Sequence, residues 1–176
     1  RPLKNFHFVT DESKKEAVLD NPLVLIVENQ IENVRKIQSV LEYVIKNNKS
    51  LLIIGEADDQ VVQALAMNKV KGNIKVNIID TPDFGVYRKE KLQDLALLTN
   101  ATVINEDLGD DLDIVDVAHL GSCLKSITNG EETIIQVEDT SEEVQSVIDS
   151  VKKEIENEKR PGAISRLEKR LGLLSC

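Results

Sequence analysis

Four consecutive aliphatic residues, Leu51-Leu52-Ile53-Ile54, run into Gly55, an acidic turn and then a helical pattern that carries apolar residues on more than one face. An unbroken apolar run of this length is the pattern of a strand covered on both sides, and such strands belong to sheets sandwiched between helices. In the helix that follows, Val61, Ala64 and Leu65 share one side, while Val62, Ala66, Met67 and Val70 fall around another. Two readings of this surplus stand. Either the helix is enclosed within a core, or it offers an apolar surface to a partner, with Met67 as an adaptable contact.

The same order of strand and helix recurs along the chain. Leu23-Val24-Leu25-Ile26-Val27, set off by Asn21-Pro22, predicts a central strand. Ile31, Val34, Leu41 and Ile45, interrupted by Gln38, form one stripe of a helix over 31–45 that Ile37, Val40 and Val44 widen. Residues 74–79 predict a strand, 80–85 a loop punctuated by Pro82 and Gly85, and the next stretch a helix with Leu92, Leu95, Ala96 and Thr99 inward. A short strand at Thr102-Val103-Ile104 follows. Phe6-His7-Phe8-Val9 alternates like a short strand with Phe6 and Phe8 on one side. Two further strands, 124–128 and 133–137, flank Asn129-Gly130, whose residues suit a tight hairpin turn with positive φ at both central positions.

Thr140-Ser141-Glu142-Glu143 has the arrangement of a capping box ahead of an amphipathic helix marked by Val144, Ile148, Val151 and Ile155. Arg160-Pro161-Gly162 separates it from a second helix carrying Ile164, Leu167, Leu171 and Leu174. The expected fold class is therefore α/β: a mixed β-sheet core flanked by helices, as one domain over 1–176, with a C-terminal helical pair at about 140–175. With 3% aromatic residues and no Trp, its core must be packed with Leu, Ile and Val.

Charge and motif content narrow the function. A net charge of −9 opposes a role on nucleic-acid phosphates, which need a concentrated Lys/Arg face. No apolar stretch approaches the roughly 20 residues of a membrane span, and the first residues lack a basic-then-apolar leader, so neither nucleic acid nor membrane is expected as a partner. Cys123 and Cys176 make no disulfide framework and point to a reducing compartment. His119 and Cys123 are four apart, but zinc takes four ligands and the sequence offers no second cluster, so no metal is expected. No nucleophile elbow, phosphate-cradling glycine loop or paired catalytic carboxylates are visible, and no catalytic residue or cofactor is assigned to this chain.

One chemical alternative remains. Leu25-Ile26-Val27-Glu28-Asn29, Gly55-Glu56-Ala57-Asp58-Asp59 and Ile78-Ile79-Asp80-Thr81-Pro82 resemble pieces of a bacterial receiver domain, with Asp80 as phosphoryl acceptor. Against it, the acidic pair that would hold magnesium reads Glu28-Asn29, and Lys125 is followed by Ser126 in place of Pro.

A second resemblance covers nearly all of the chain. Leu51-Leu52-Ile53-Ile54, Ala64-Leu65, Asn68-Lys69, Lys71-Gly72, Pro82, Phe84-Gly85, Arg88-Lys89, Leu92, Asp94, Thr99, Glu106, Leu108-Gly109, Leu120-Gly121 and Thr133-Ile134-Ile135 are similar to the apical domain of group I chaperonins, the GroEL class. The resemblance implies a domain that binds non-native polypeptides and the mobile loop of a co-chaperonin of the GroES class. Binding would use a groove between two helices and a nearby extended segment. Carried over residue by residue, it assigns Gln38 and Leu41 to the first groove helix, Val62, Ala66, Met67 and Asn68 to the second, and Leu3, His7 and Phe8 to the extended segment.

Departures are specific. Gln38 stands where the family usually has Leu, Ala66 where Val is common, Leu3 and His7 where aromatics are usual, and Ser175-Cys176 where Gly-Gly is usual. They imply a divergent member, organellar (mitochondrial matrix or plastid) or from a bacterial cytoplasm. The resemblance further implies that the chain is a fragment of an ATP-hydrolysing ring protein. ATP, magnesium and the contacts to other ring subunits would then belong mainly to the rest of the parent, leaving the fragment monomeric. Leu41 and Val62 are expected on the groove more than in the core, so that serine at either would leave the melting temperature within a few degrees.

Overall fold

The computed structural model describes residues 3–81, 85–105, 119–137 and 142–175. The chain divides into two compact units, Arg1–Val137 and Glu138–Cys176.

In the first unit, β2 (Leu23–Val27), β3 (Ser50–Ile54), β4 (Lys75–Ile79) and the short β5 (Val103–Ile104) make a parallel sheet in the order β4-β3-β2-β5. Leu25 lies opposite Ile53 and Ile53 opposite Ile78, so the aliphatic runs stack across neighbouring strands. Every residue of β3 is buried, as a strand covered on both faces requires. The far edge of β2 is divided: Ile26 and Val27 pair with β5, while Leu23 and Val24 pair antiparallel with β6 (Gly121–Ser122).

Three helices connect the parallel strands: α1 (Gln38–Lys46), α2 (Asp59–Val70) and α3 (Gly85–Thr99). Each is followed by a residue at positive φ, Asn48, Gly72 and Asn100, which turns the chain out of the helix; Gly and Asn tolerate that region best. The inward face of α3 carries Leu92, Leu95, Ala96 and Thr99, as its spacing predicts, together with a buried Asp94.

A second, antiparallel sheet has the order β1-β7-β8, formed by β1 (Ala17–Asp20), β7 (Lys125–Thr128) and β8 (Thr133–Gln136), and β1 packs against β3 and β4. Ala17, Leu19, Ser126 and Thr128 alternate inward along their strands. Asn77 on β4 donates to Thr128 Oγ1 at 3.0 Å, and Thr128 and Thr133 hydroxyls pair at 3.0 Å. Asn77 Oδ1 and Ser126 Oγ, both enclosed, have no protein partner among the described residues.

Several expectations are corrected. Phe6-His7-Phe8-Val9 is not a strand: the Asn5 side chain accepts from the His7 amide at 2.8 Å and its carbonyl from the Phe8 amide at 3.1 Å, closing Phe6–Phe8 into a single 3-10 turn. The helix expected over 31–45 starts later. Ile31 is held in a parallel bridge to Ala57, a 3-10 turn at Val34–Ile37 follows with Asn33 as its cap, and only Gln38–Lys46 is α-helical. The hairpin joins the strands where expected, with Thr128 paired to Thr133 across four residues, but neither Asn129 nor Gly130 has positive φ. Asn129 Oδ1 instead accepts from the Glu131 and Glu132 amides, both at 2.8 Å, a side-chain turn that closes the loop without positive φ. His119 and Cys123 flank β6 and share no helix. Cys123 is a buried thiol whose pKa burial pushes up to about 11. The expected capping box at 140–143 and the Pro82–Phe84 loop residues lie outside the described residues or side chains.

In the second unit, α4 (Glu142–Asn157) packs with α5 (Pro161–Ser175). Pro161 opens α5 at a position where its missing amide costs nothing. Between the helices, Glu158 takes the side chain of Arg160 and the amides of Lys159 and Arg160, which holds its carboxyl at about 2. No helix among the described residues is long and apolar enough to cross a membrane.

Candidate functional site

Between α1 and α2 runs a groove of about 300 Å³, lined by Val34, Gln38, Leu41, Glu42 and Ile45 from the first helical segment, Leu65 and Asn68 from α2, and Ile74. The two sides of the helical segment formed by the Val34–Ile37 turn and α1 divide its apolar residues. Ile37, Val40 and Val44 are buried in the core, and the stripe Val34-Gln38-Leu41-Ile45 faces the groove. Leu41 and Val34 are half-buried against the core beneath, whereas Ile45 is half exposed. The walls are therefore aliphatic, with polar atoms confined to Gln38, Glu42 and Asn68.

Of the nine residues assigned from the sequence, Gln38, Leu41 and Asn68 converge on this groove. Met67, 51% exposed, and His7 lie on the surface without lining it. Leu3 is half-buried against the core, its amide bonded to the Asn129 carbonyl at 2.7 Å.

Phe8, Val62 and Ala66 are not surface residues. They are 0%, 5% and 2% exposed and belong to one core cluster. The cause is the N-terminal segment: the 3-10 turn packs on α2, and Lys69 Nζ reaches the Val9 carbonyl at 2.8 Å, covering the face that Val62 and Ala66 present. So α2 is enclosed on that side and open at Met67 and Val70. The sequence assignment omitted Val34, Glu42, Ile45, Leu65 and Ile74; the stripe through Val34, Gln38, Leu41 and Ile45 was the signal for two of them.

The carboxyl ends of the parallel strands, where a receiver would do its chemistry, are occupied otherwise. Asp80 is ion-paired with Lys4. Glu56 accepts from the Thr81 hydroxyl at 2.8 Å, and the nearly buried Glu28 accepts from Asn105 at 2.8 Å with Lys89 at 3.8 Å. Each of these acids thus has its own partner, a cation for Asp80 and Glu28 and a hydroxyl for Glu56, and the described residues hold no group of three or more His, Cys, Asp or Glu placed to bind a metal ion. The receiver alternative has no support in this arrangement.

No protein-family model matches the sequence. Among solved structures, the chain is similar to the chaperonin gp146 from the bacteriophage EL 2 (Pseudomonas aeruginosa), determined in the presence of ATP-BeFx, with a TM-score of 0.72 and 15% identity over 98% of this chain. The fold is that of a chaperonin domain. At 15% identity the likeness is one of fold, and the chain spans 35% of the length of that chaperonin.

Proposed function

We propose that this chain is the polypeptide-binding, apical-type domain of a chaperonin, and that the groove between α1 and α2 takes exposed apolar segments of non-native proteins. The observation that carries the reading is an aliphatic groove, framed by two helices, on a domain with a chaperonin fold. Walls with few directional polar groups suit clients that share only exposed hydrophobic side chains, because burial of apolar area is non-directional. On this reading, the same groove receives the mobile loop of a GroES-class co-chaperonin, and the parent is a group I ring that hydrolyses ATP elsewhere in its sequence. The chain itself then contributes binding and no catalytic group.

Serine at Leu41 or Ile45 tests it. Both line the groove, and neither is fully buried. Each substitution should weaken capture of an unfolded client or of an extended apolar peptide by about five- to tenfold, the loss expected when one side chain's apolar contact, worth roughly 1–1.5 kcal/mol, is removed. The melting temperature should stay within a few degrees. Binding equal to the parent in both variants, measured by fluorescence anisotropy, would refute the groove as the site.

A further inference from the structure

The polar atoms of the groove are committed in an uneven way. Asn68 Nδ2 donates to the Ala64 carbonyl at 2.8 Å and its Oδ1 accepts from Asn73 at 3.2 Å, so this side chain is turned back onto its own helix and the loop beyond. Gln38 Nε2 donates to Glu42 Oε1 at 3.2 Å, one turn along α1. Each amide nitrogen on the lining therefore has one hydrogen committed and one left, and the formal charge that the lining presents is the Glu42 carboxylate, which accepts from Gln38 through one oxygen. Among the described residues that line the groove there is no Lys or Arg to balance that carboxylate, and the chain as a whole carries −9.

Resting on the peptide-binding reading above, we infer that the groove selects extended apolar segments that carry a Lys or Arg side chain and discriminates against those carrying Asp or Glu, with Glu42 as the specificity-determining residue. The aliphatic walls supply affinity that does not depend on sequence. The polar edge decides between segments of equal hydrophobicity. A cationic side chain meets the Glu42 carboxylate, one oxygen of which Gln38 already holds, whereas an anionic one meets a like charge that the remaining neutral amide hydrogens offset only in part. Glu42 is exposed, so water and salt screen the effect, and the expected discrimination is that of a surface ion pair, about two- to fivefold per charge.

The experiment uses three labelled twelve-residue peptides that alternate Leu and Ser and differ only at one central position, Lys, Gln or Glu. Anisotropy titrations are run on the full chain at low and at high salt. The Lys peptide should bind about two- to fivefold tighter than the Gln peptide, and the Gln peptide tighter than the Glu peptide by a similar factor, with both ratios shrinking at high salt. In Glu42→Gln the Lys-to-Glu ratio should fall toward one, and in Glu42→Lys it should invert, with melting curves confirming that both variants are folded. Equal binding of the three peptides to the parent would overturn the inference. So would a ratio that survives Glu42→Gln, since it would then belong to the overall charge. Failure of the Gln peptide to bind, or its indifference to Leu41→Ser, would instead remove the underlying groove reading.

Discussion

Val62 and Leu41 both stand on the helices that frame the groove, yet they differ in what encloses them. Leu41 keeps part of its surface at the groove, while Val62 is covered and belongs to the cluster around Phe8. Serine at Val62 would leave a void and an enclosed hydroxyl, at a cost of about 2–4 kcal/mol, a large share of the 5–15 kcal/mol a domain usually has. Thermal melts should show Val62→Ser lowered by roughly 5–15 °C. A shift within a few degrees would mean that the N-terminal segment does not cover α2 in solution. Nothing near Val62 in sequence foretells its burial, because Phe8 is more than fifty positions away. Leu41 was legible, since it lies on a stripe of its own helix.

Elements show where local chemistry overrides pattern. Asn129 and Gly130 suit a two-residue turn, but the inward alternation of Ser126 and Thr128 and their pairing with Ile135 and Thr133 leave a longer loop, which the Asn129 carboxamide closes. Gly130 has no need of its flexibility there, and a Cβ on it meets nothing within 4 Å. Gly121 differs. A Cβ on it would lie 2.4 Å from the Thr99 carbonyl oxygen and 2.6 Å from the Ala101 nitrogen, both backbone, because β6 lies against the turn that leaves α3. Gly121→Ala should destabilise the chain by about 3 kcal/mol or more in urea unfolding, whereas Gly130→Ala should change it by under about 0.5 kcal/mol. Equal effects would contradict the assigned position of β6.

At the scale of the whole molecule, the apolar surface left open among the described residues is the groove with Ile45 on its wall and the exposed side chains Met67, Val70, Tyr87, Leu124 and Ile134. A chain with a net charge of −9, whose described residues expose apolar side chains mainly as scattered positions, should remain a monomer at moderate concentration, and sedimentation velocity would contradict that by showing a stable ring or dimer. The sequence by itself determined the parallel strands, the helices between them and the terminal helical pair, because continuous aliphatic runs and helical stripes report burial within one element. Which apolar face of a two-sided helix is covered was decided only by tertiary structure. The pattern left the face of Val62 and Ala66 open between core and surface and the family resemblance assigned both, with Phe8, to the groove; they are core because a 3-10 turn from the far end of the unit lies across α2. Periodicity records that a face is apolar; only contacts between distant segments determine whether protein or water meets it.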